Sequence, residues 1–211
     1  MDWLETAVLA VVPVVLAIVL HEASHGYVAR IFGDQTAWML GRVTLNPLKH
    51  IDPIGTVAVP GILLLTGAPF LFGWAKPVPV NFGNLRHPKR DMIWVAGAGP
   101  MANFVMAILW AFIAQAAAPS GPLASDGLYQ MAQIGISINL VLMVLNLLPI
   151  PPLDGVRIAV GLLPGRAASA LARVEPYGFM VILVLLVTGL LSDLMRPFVS
   201  AAASLLYAIV G

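Results

Sequence analysis

Residues 11–32, VVPVVLAIVLHEASHGYVARIF, place His21, Glu22 and His25 inside a run that is otherwise as apolar as lipid. His21 and His25 are four residues apart and share one helical face, where two imidazoles can reach one metal ion. Glu22 follows His21 directly and falls beside the open coordination position. This is the constellation of a zinc hydrolase: neutral imidazoles hold Zn²⁺ and leave a site for water, and a carboxylate takes that water's proton once the metal has lowered its pKa to about 7. A single histidine on an apolar face is usually a hydrogen-bonded core residue. Three ionisable groups within the five residues 21–25 of a lipid-length helix are different, because each costs about 2.5–3.5 kcal/mol or more at the bilayer centre unless it is partnered.

Two histidines do not hold a catalytic zinc, so a third protein ligand is expected. His50 and His87 are candidates, as are the few carboxylates. Asp34 and Asp52 fall in an interfacial loop, Asp91 and Asp126 at helix ends, and Glu175 and Asp193 beside span ends, all positions where a carboxylate is ordinarily solvated. Asp154 stands apart: it closes an apolar span just after a Pro-Ile-Pro-Pro break, where an unwound helix end can turn a carboxylate inward.

The elements that must position these groups are membrane elements. The chain has 211 residues, 60% hydrophobic and only 10% charged, with a mean hydropathy of +0.93. That is too apolar for a soluble domain, which excludes a soluble zincin and implies an all-α polytopic membrane protein. One domain over 1–211 is expected, with a catalytic core at about 7–158 and extra C-terminal membrane segments at 176–211. No hydrophilic stretch is long enough for a soluble appendage, and no repeat appears. There are no cysteines, so thiolate ligands are excluded. The net charge of +1 gives no sign of nucleic-acid binding. The N-terminus, MDWLET, is acidic where a signal peptide is basic, so the first helix is expected to stay in the mature protein.

In chain order, residues 4–32 form the first helix, and starting near Thr6 puts His21 about 22 Å down a core about 30 Å thick. Alternating apolar and polar residues in 33–52, with turn residues at Gly33, Gly41 and Asn46-Pro47, predict a short hairpin. The apolar run from Ile54 to Phe72 is too rich in Pro and Gly for a straight span. Residues 75–82, AKPVPVNF, read as an extended edge segment, because Pro77 and Pro79 forbid helix, and 84–91 as a solvated basic loop. Long apolar helices follow at 92–118 and about 129–148, then a polar stretch at 156–175, a span at 176–191 and a short apolar tail at 198–210. The expected architecture is a helix bundle of about four to six membrane segments, with a re-entrant segment and a short membrane-associated β element.

Charge placement sets the expected topology. If the Ile54–Phe72 run crossed once, the basic loops on either side of it would lie on opposite faces, against the positive-inside bias. If it dips in and returns, every basic residue but Arg196 faces the cytoplasm, and His21, His25 and the Leu-Asp-Gly segment lie toward that face.

These residues resemble the site-2 protease family of intramembrane zinc metalloproteases. The resemblance rests on HEASH at 21–25, AGPMANF at 98–104 and LNLLPIPPLDG at 145–155, in that order and on three helices, and covers most of residues 7–158. NPLKHIDPIGT at 46–56 and FGWAKPVPVN at 72–81 look like the compact prokaryotic branch without a PDZ domain. The resemblance implies that His21, His25 and Asp154 bind one zinc per chain and that Glu22 is general base and then general acid. It also implies that Asn146 steadies the oxyanion, a role suited to a buried amide donor near a metal; an interhelical or capping hydrogen bond is the alternative for this residue. Asn103 reads as an interhelical hydrogen-bonding residue and His50 as an interfacial one.

The expected activity is hydrolysis of a peptide bond within or beside a transmembrane helix of a membrane-protein substrate, in the plasma membrane, with the lipid bilayer as the other partner. A helical amide is shielded by its own hydrogen bonds, so the substrate must unwind, and the extended segments are places to hold it by edge pairing. The alternatives are a catalytically silent membrane-protein binder, which would lose Glu22, and a metal or ion transporter, which would show paired discontinuous helices and repeats. A CAAX-type endopeptidase is disfavoured by the Leu-Asp-Gly motif.

Overall fold

A computed structural model describes residues 3–67 and 73–211. Helix α1 (Trp3–Ile31) is followed by the short α2 (Thr36–Met39), and a π-helical turn over Pro53–Ala58 runs into α3 (Val59–Leu65). The long α4 (Pro88–Ala117) and α5 (Asp126–Leu147) come next, then α6 (Asp154–Leu162), α7 (Gly165–Ala172), α8 (Gly178–Val187) and α9 (Leu190–Val210). Five stretches are long and apolar enough to cross a membrane: Leu4–Ile31, Pro88–Ala117, Asp126–Leu147, Gly165–Val187 and Leu190–Val210. The protein is an all-helical membrane protein.

Small residues build the centre. Ala107, Ala111 and Ala114 of α4 and Ala132 of α5 are buried with Trp110, Ile136, Leu140 and Val144, and α9 adds Leu191, Met195, Ala202 and Leu206. Gly135 lies directly against the Trp110 ring with no room for a Cβ. In lipid, helices associate through such close packing rather than through a hydrophobic drive, which is why alanine and glycine line the contact. Pro13 and Pro100 sit inside α1 and α4 without ending them, as neighbouring membrane helices permit.

Several boundaries differ from the sequence expectation. The hairpin predicted over 33–52 is absent, and no strand occurs among the described residues. Gly33 closes α1 at φ 116°, a conformation that needs glycine, and Asp34 then accepts from Thr36 N at 3.1 Å. The carboxylate thereby starts a helical turn at 36–39, a local side-chain to backbone bond that outcompetes strand pairing. Trp38 in that turn stacks under the Arg30 guanidinium, 3.6 Å from its ring centroid. Residues 75–81 are extended as expected, but their backbone pairs with no strand: Val78 N donates to Glu22 Oε2 at 2.7 Å and Asn81 N to Asp34 Oδ2 at 2.7 Å. The basic loop at 84–91 is shorter than expected, because Pro88 opens α4 and Asp91 accepts from His87 N at 2.8 Å. The short tail at 198–210 belongs to the longer α9, which begins at Leu190 after Gly189 ends α8 at φ 77°.

The segment between α1 and α4 closes on itself. Lys76 N donates to His50 O at 2.9 Å, and Trp74 N donates to Gly55 O at 3.1 Å. The helical part of this segment, Pro53–Leu65, is shorter than any of the spans; the end of the Ile54–Phe72 run, at 68–72, falls outside the described residues. Arg86 N reaches Phe32 O at 3.0 Å, Arg42 Nη2 reaches Lys76 O at 2.9 Å and Lys89 Nζ reaches Leu163 O at 2.6 Å. These contacts bring basic residues together at the end where α1 stops and α4 starts. At the opposite end Gln115 Nε2 donates to Val210 O at 3.2 Å. Helix α9 therefore runs in the same direction as α4, with Arg196 in its second turn.

Asp34 is fully buried where α1 gives way to this segment. Burial opposes its ionisation, but hydrogen bonds from Thr36, Asn84 and Asn81 outweigh that and hold its carboxyl below the usual carboxylate range. A depressed folded-state pKa contributes stability above the unfolded value of about 3.9 and loses it as pH falls through the folded value. Asp34→Ala should lower the thermal midpoint in detergent at pH 7, by the equivalent of about 1–3 kcal/mol. The gap from wild type should narrow below about pH 4, which paired unfolding curves at pH 7 and pH 3 would read.

Candidate metal centre

Helix α1 supplies His21 and His25, both 8% exposed, and α6 supplies Asp154 at its first turn. The four-residue spacing puts the two imidazoles on one face, edge to face with centroids 4.7 Å apart. Asp154 arrives because α5 stops at Leu147 and the Pro-rich 149–152 turn reverses the chain. Gly155 packs onto the Leu147 and Leu148 carbonyls with no room for a Cβ, so the glycine after Asp154 is what lets the turn close this tightly. Gly178, at the start of α8, backs the same turn by lying against Pro151.

The ligand atoms converge. His21 Nε2 and His25 Nε2 are 3.1 Å apart, and Asp154 Oδ2 stands 3.2 Å from the first and 3.3 Å from the second. Together they form a group able to hold a metal ion. The protonation pattern follows from the opposite ring nitrogens. His25 Nδ1 lies 2.7 Å from Val95 O, a pure acceptor, so that nitrogen carries the hydrogen. His21 Nδ1 lies 2.7 Å from Asn103 Oδ1, an oxygen because the Asn103 amide nitrogen donates elsewhere, to Ala17 O at 3.2 Å and Asn139 Oδ1 at 2.9 Å. With both imidazoles neutral, as metal ligands must be, the two Nε2 atoms present lone pairs to each other and to a carboxylate oxygen that is buried without a hydrogen-bond donor. Three acceptors cannot satisfy one another; a cation between them can. Donors about 2.0–2.2 Å from one tetrahedral ion stand about 3.3–3.6 Å apart, close to the separations here.

Glu22 points from the same turn of α1 toward the extended segment, where Val78 N donates to its Oε2 at 2.7 Å. Asn146 does not join the group: its amide donates to Leu142 O of its own helix at 3.0 Å. His50 is 2% exposed and its Nε2 donates to Thr44 O at 3.0 Å, outside the metal group, while His87 sits beside Asp91 at the start of α4. Asn103 bonds between helices as expected and, beyond that expectation, also orients His21.

Sequence reasoning missed Gly99 as part of the site. A Cβ at this position would meet both imidazoles, with His21 Nε2 at 2.6 Å. The available signal was the four-residue spacing of Gly99 and Asn103 on α4, which puts them on one face, as in the His pair.

The model of peptidase family M50 matches residues 9–189. The chain belongs to peptidase family M50. This site-2 protease family makes it a zinc metalloprotease. Over 195 residues it is 41% identical to "Putative zinc metalloprotease YwhC" of Bacillus subtilis (strain 168), covering 90% of this chain and 85% of that one. It is 32% identical over 178 residues to "Putative zinc metalloprotease Rip2" of Mycolicibacterium smegmatis (strain ATCC 700084 / mc(2)155), covering 84% and 66%. No solved structure matches.

Gly99→Ala should cut bound metal well below that of wild type, measured by elemental analysis of detergent-purified protein. Gly97→Ala, two residues away with nothing within 4 Å of its Cβ position, should leave metal content unchanged.

Proposed function

We propose that this M50 peptidase hydrolyses a peptide bond within or beside a transmembrane helix of a membrane-protein substrate, using one zinc ion per chain held by His21, His25 and Asp154. The observation that carries the reading is the meeting of three ligand atoms inside apolar helices, with Glu22 on the same helical turn as two of them. Zinc, when bound there, supplies Lewis acidity that acidifies a water and polarises a carbonyl.

The protein's own groups do the rest. His25 and His21 are held in the metal-ready tautomer by Val95 O and Asn103 Oδ1. Glu22 is general base toward the attacking water and then general acid toward the leaving nitrogen, and its carboxylate is steadied by the Val78 N–H. Asn146, eight residues before Asp154, is the proposed donor to the oxyanion; rotation of its side chain away from Leu142 O would free the amide. The whole of 1–211 acts as one membrane domain, with the catalytic core at 7–158 and C-terminal membrane segments at 176–211 around it.

The site faces the cytoplasmic side of the plasma membrane in this reading. Support comes from the clustered basic residues at the α1/α4 end and from the Lys76–His50 backbone bond, which returns the 50–76 segment to where it began and favours re-entry over crossing.

Detergent-purified wild type should carry zinc near one per chain and cleave a transmembrane test substrate. Asp154→Ala should lose zinc. Glu22→Gln should keep it while cleavage falls by about 10²–10⁴-fold or more, and Asn146→Ala should keep zinc and slow cleavage by about 10²-fold. Cleavage that survives Glu22→Gln would reject this mechanism; zinc bound with no cleavage by wild type would favour a silent membrane-protein binder.

A further inference from the structure

Asn103 and Asn139 are both 0% exposed in the middle of apolar helices, where an amide needs a reason to be. They form a chain of bonds with one direction. Asn139 Nδ2 donates to Gly135 O at 2.8 Å. That acceptor is backbone and cannot reverse, so Asn139 must turn its Oδ1 the other way. Asn139 Oδ1 receives Asn103 Nδ2 at 2.9 Å, and the same amide nitrogen also reaches Ala17 O at 3.2 Å. Asn103 is thus left with only its oxygen to offer His21 Nδ1, at 2.7 Å. A reversed Asn103 would set its NH₂ against His21, which would then have to carry its hydrogen on Nε2 and could no longer ligate a metal. Gly135 itself is pinned by the Trp110 ring.

We propose that Asn139 is a positioning residue for His21: through Asn103 it fixes the imidazole tautomer and keeps Nε2 free for the metal. The inference rests on the zinc reading above and extends it to a residue on a third helix whose side-chain hydrogen bonds go to Asn103 and Gly135 rather than to the ligands.

The test is zinc affinity of the full chain in detergent, by competition with a chelating indicator, for wild type, Asn103→Ala, Asn139→Ala and the double variant. The absorption spectrum of the cobalt-loaded forms is recorded beside it. Asn103→Ala should bind zinc about 10–100-fold more weakly and Asn139→Ala about tenfold more weakly, with a changed cobalt spectrum. The double variant should bind no more weakly than Asn103→Ala, because a relay fails once. A merely structural Asn139 would lower thermal stability of the metal-free protein while leaving affinity and spectrum of the folded protein unchanged. Asn139→Leu, which refills the volume, carries the same expectation should the alanine variant fail to fold. Affinity within twofold of wild type in the folded Asn139 variant, or strictly additive losses, would overturn the relay alone. Absence of zinc binding by wild type would overturn the zinc reading together with it.

Discussion

Two imidazole nitrogens and a carboxylate oxygen facing one another in a largely buried place is the constraint around which this protein is built. His21 Nε2, His25 Nε2 and Asp154 Oδ2 crowd within 3.1–3.3 Å, and in a low-dielectric interior such an arrangement is repulsive unless a cation neutralises it. Each surrounding element prevents the relaxation that would otherwise follow. The imidazoles cannot turn, because Val95 O and Asn103 Oδ1 hold their other nitrogens. Helix α4 can come close only because position 99 has no side chain. Asp154 cannot retreat, because Gly155 is packed against the end of α5 and Gly178 against the turn before it.

The segment between α1 and α4 obeys a related constraint. Irregular backbone near a bilayer must find partners for its N–H and C=O groups, and here carboxylates and a guanidinium take the place of a neighbouring strand. Asp34 receives Thr36 and Asn81, Asp52 receives Ile54 and Gly55, and Glu22 receives Val78. Arg42 covers the carbonyls of Lys76 and Pro77. The prolines at 77 and 79 leave Val78 as the lone backbone donor between them, and that donor is spent on Glu22. The proposed base is therefore tied to the same segment that covers its helix.

How much was legible beforehand differs by element and for identifiable reasons. Long apolar runs announced α1, α4 and α5, since lipid thickness demands about 20 apolar residues and little else competes with that signal. The hairpin expected at 33–52 does not form: a short alternation is weak evidence for a strand, and Asp34 offers the backbone a nearer partner. The C-terminal boundary moved because Gly189 breaks an apolar run that composition alone makes continuous.

Residue types and spacing along the chain determined the membrane class, the His-Glu-x-x-His face, and Asp154 as a carboxylate at a broken helix end; these are local properties, carried by hydrophobic length, helical period and proline geometry. Only the tertiary structure decided the rest: that Gly99 is a cradle for two imidazoles, that Asn139 reaches His21 through Asn103, and that Val78 holds Glu22. Those contacts join residues 36 to 86 positions apart, and no periodicity links such positions, because their meeting depends on how α1, α4 and α5 pack rather than on what each prefers alone.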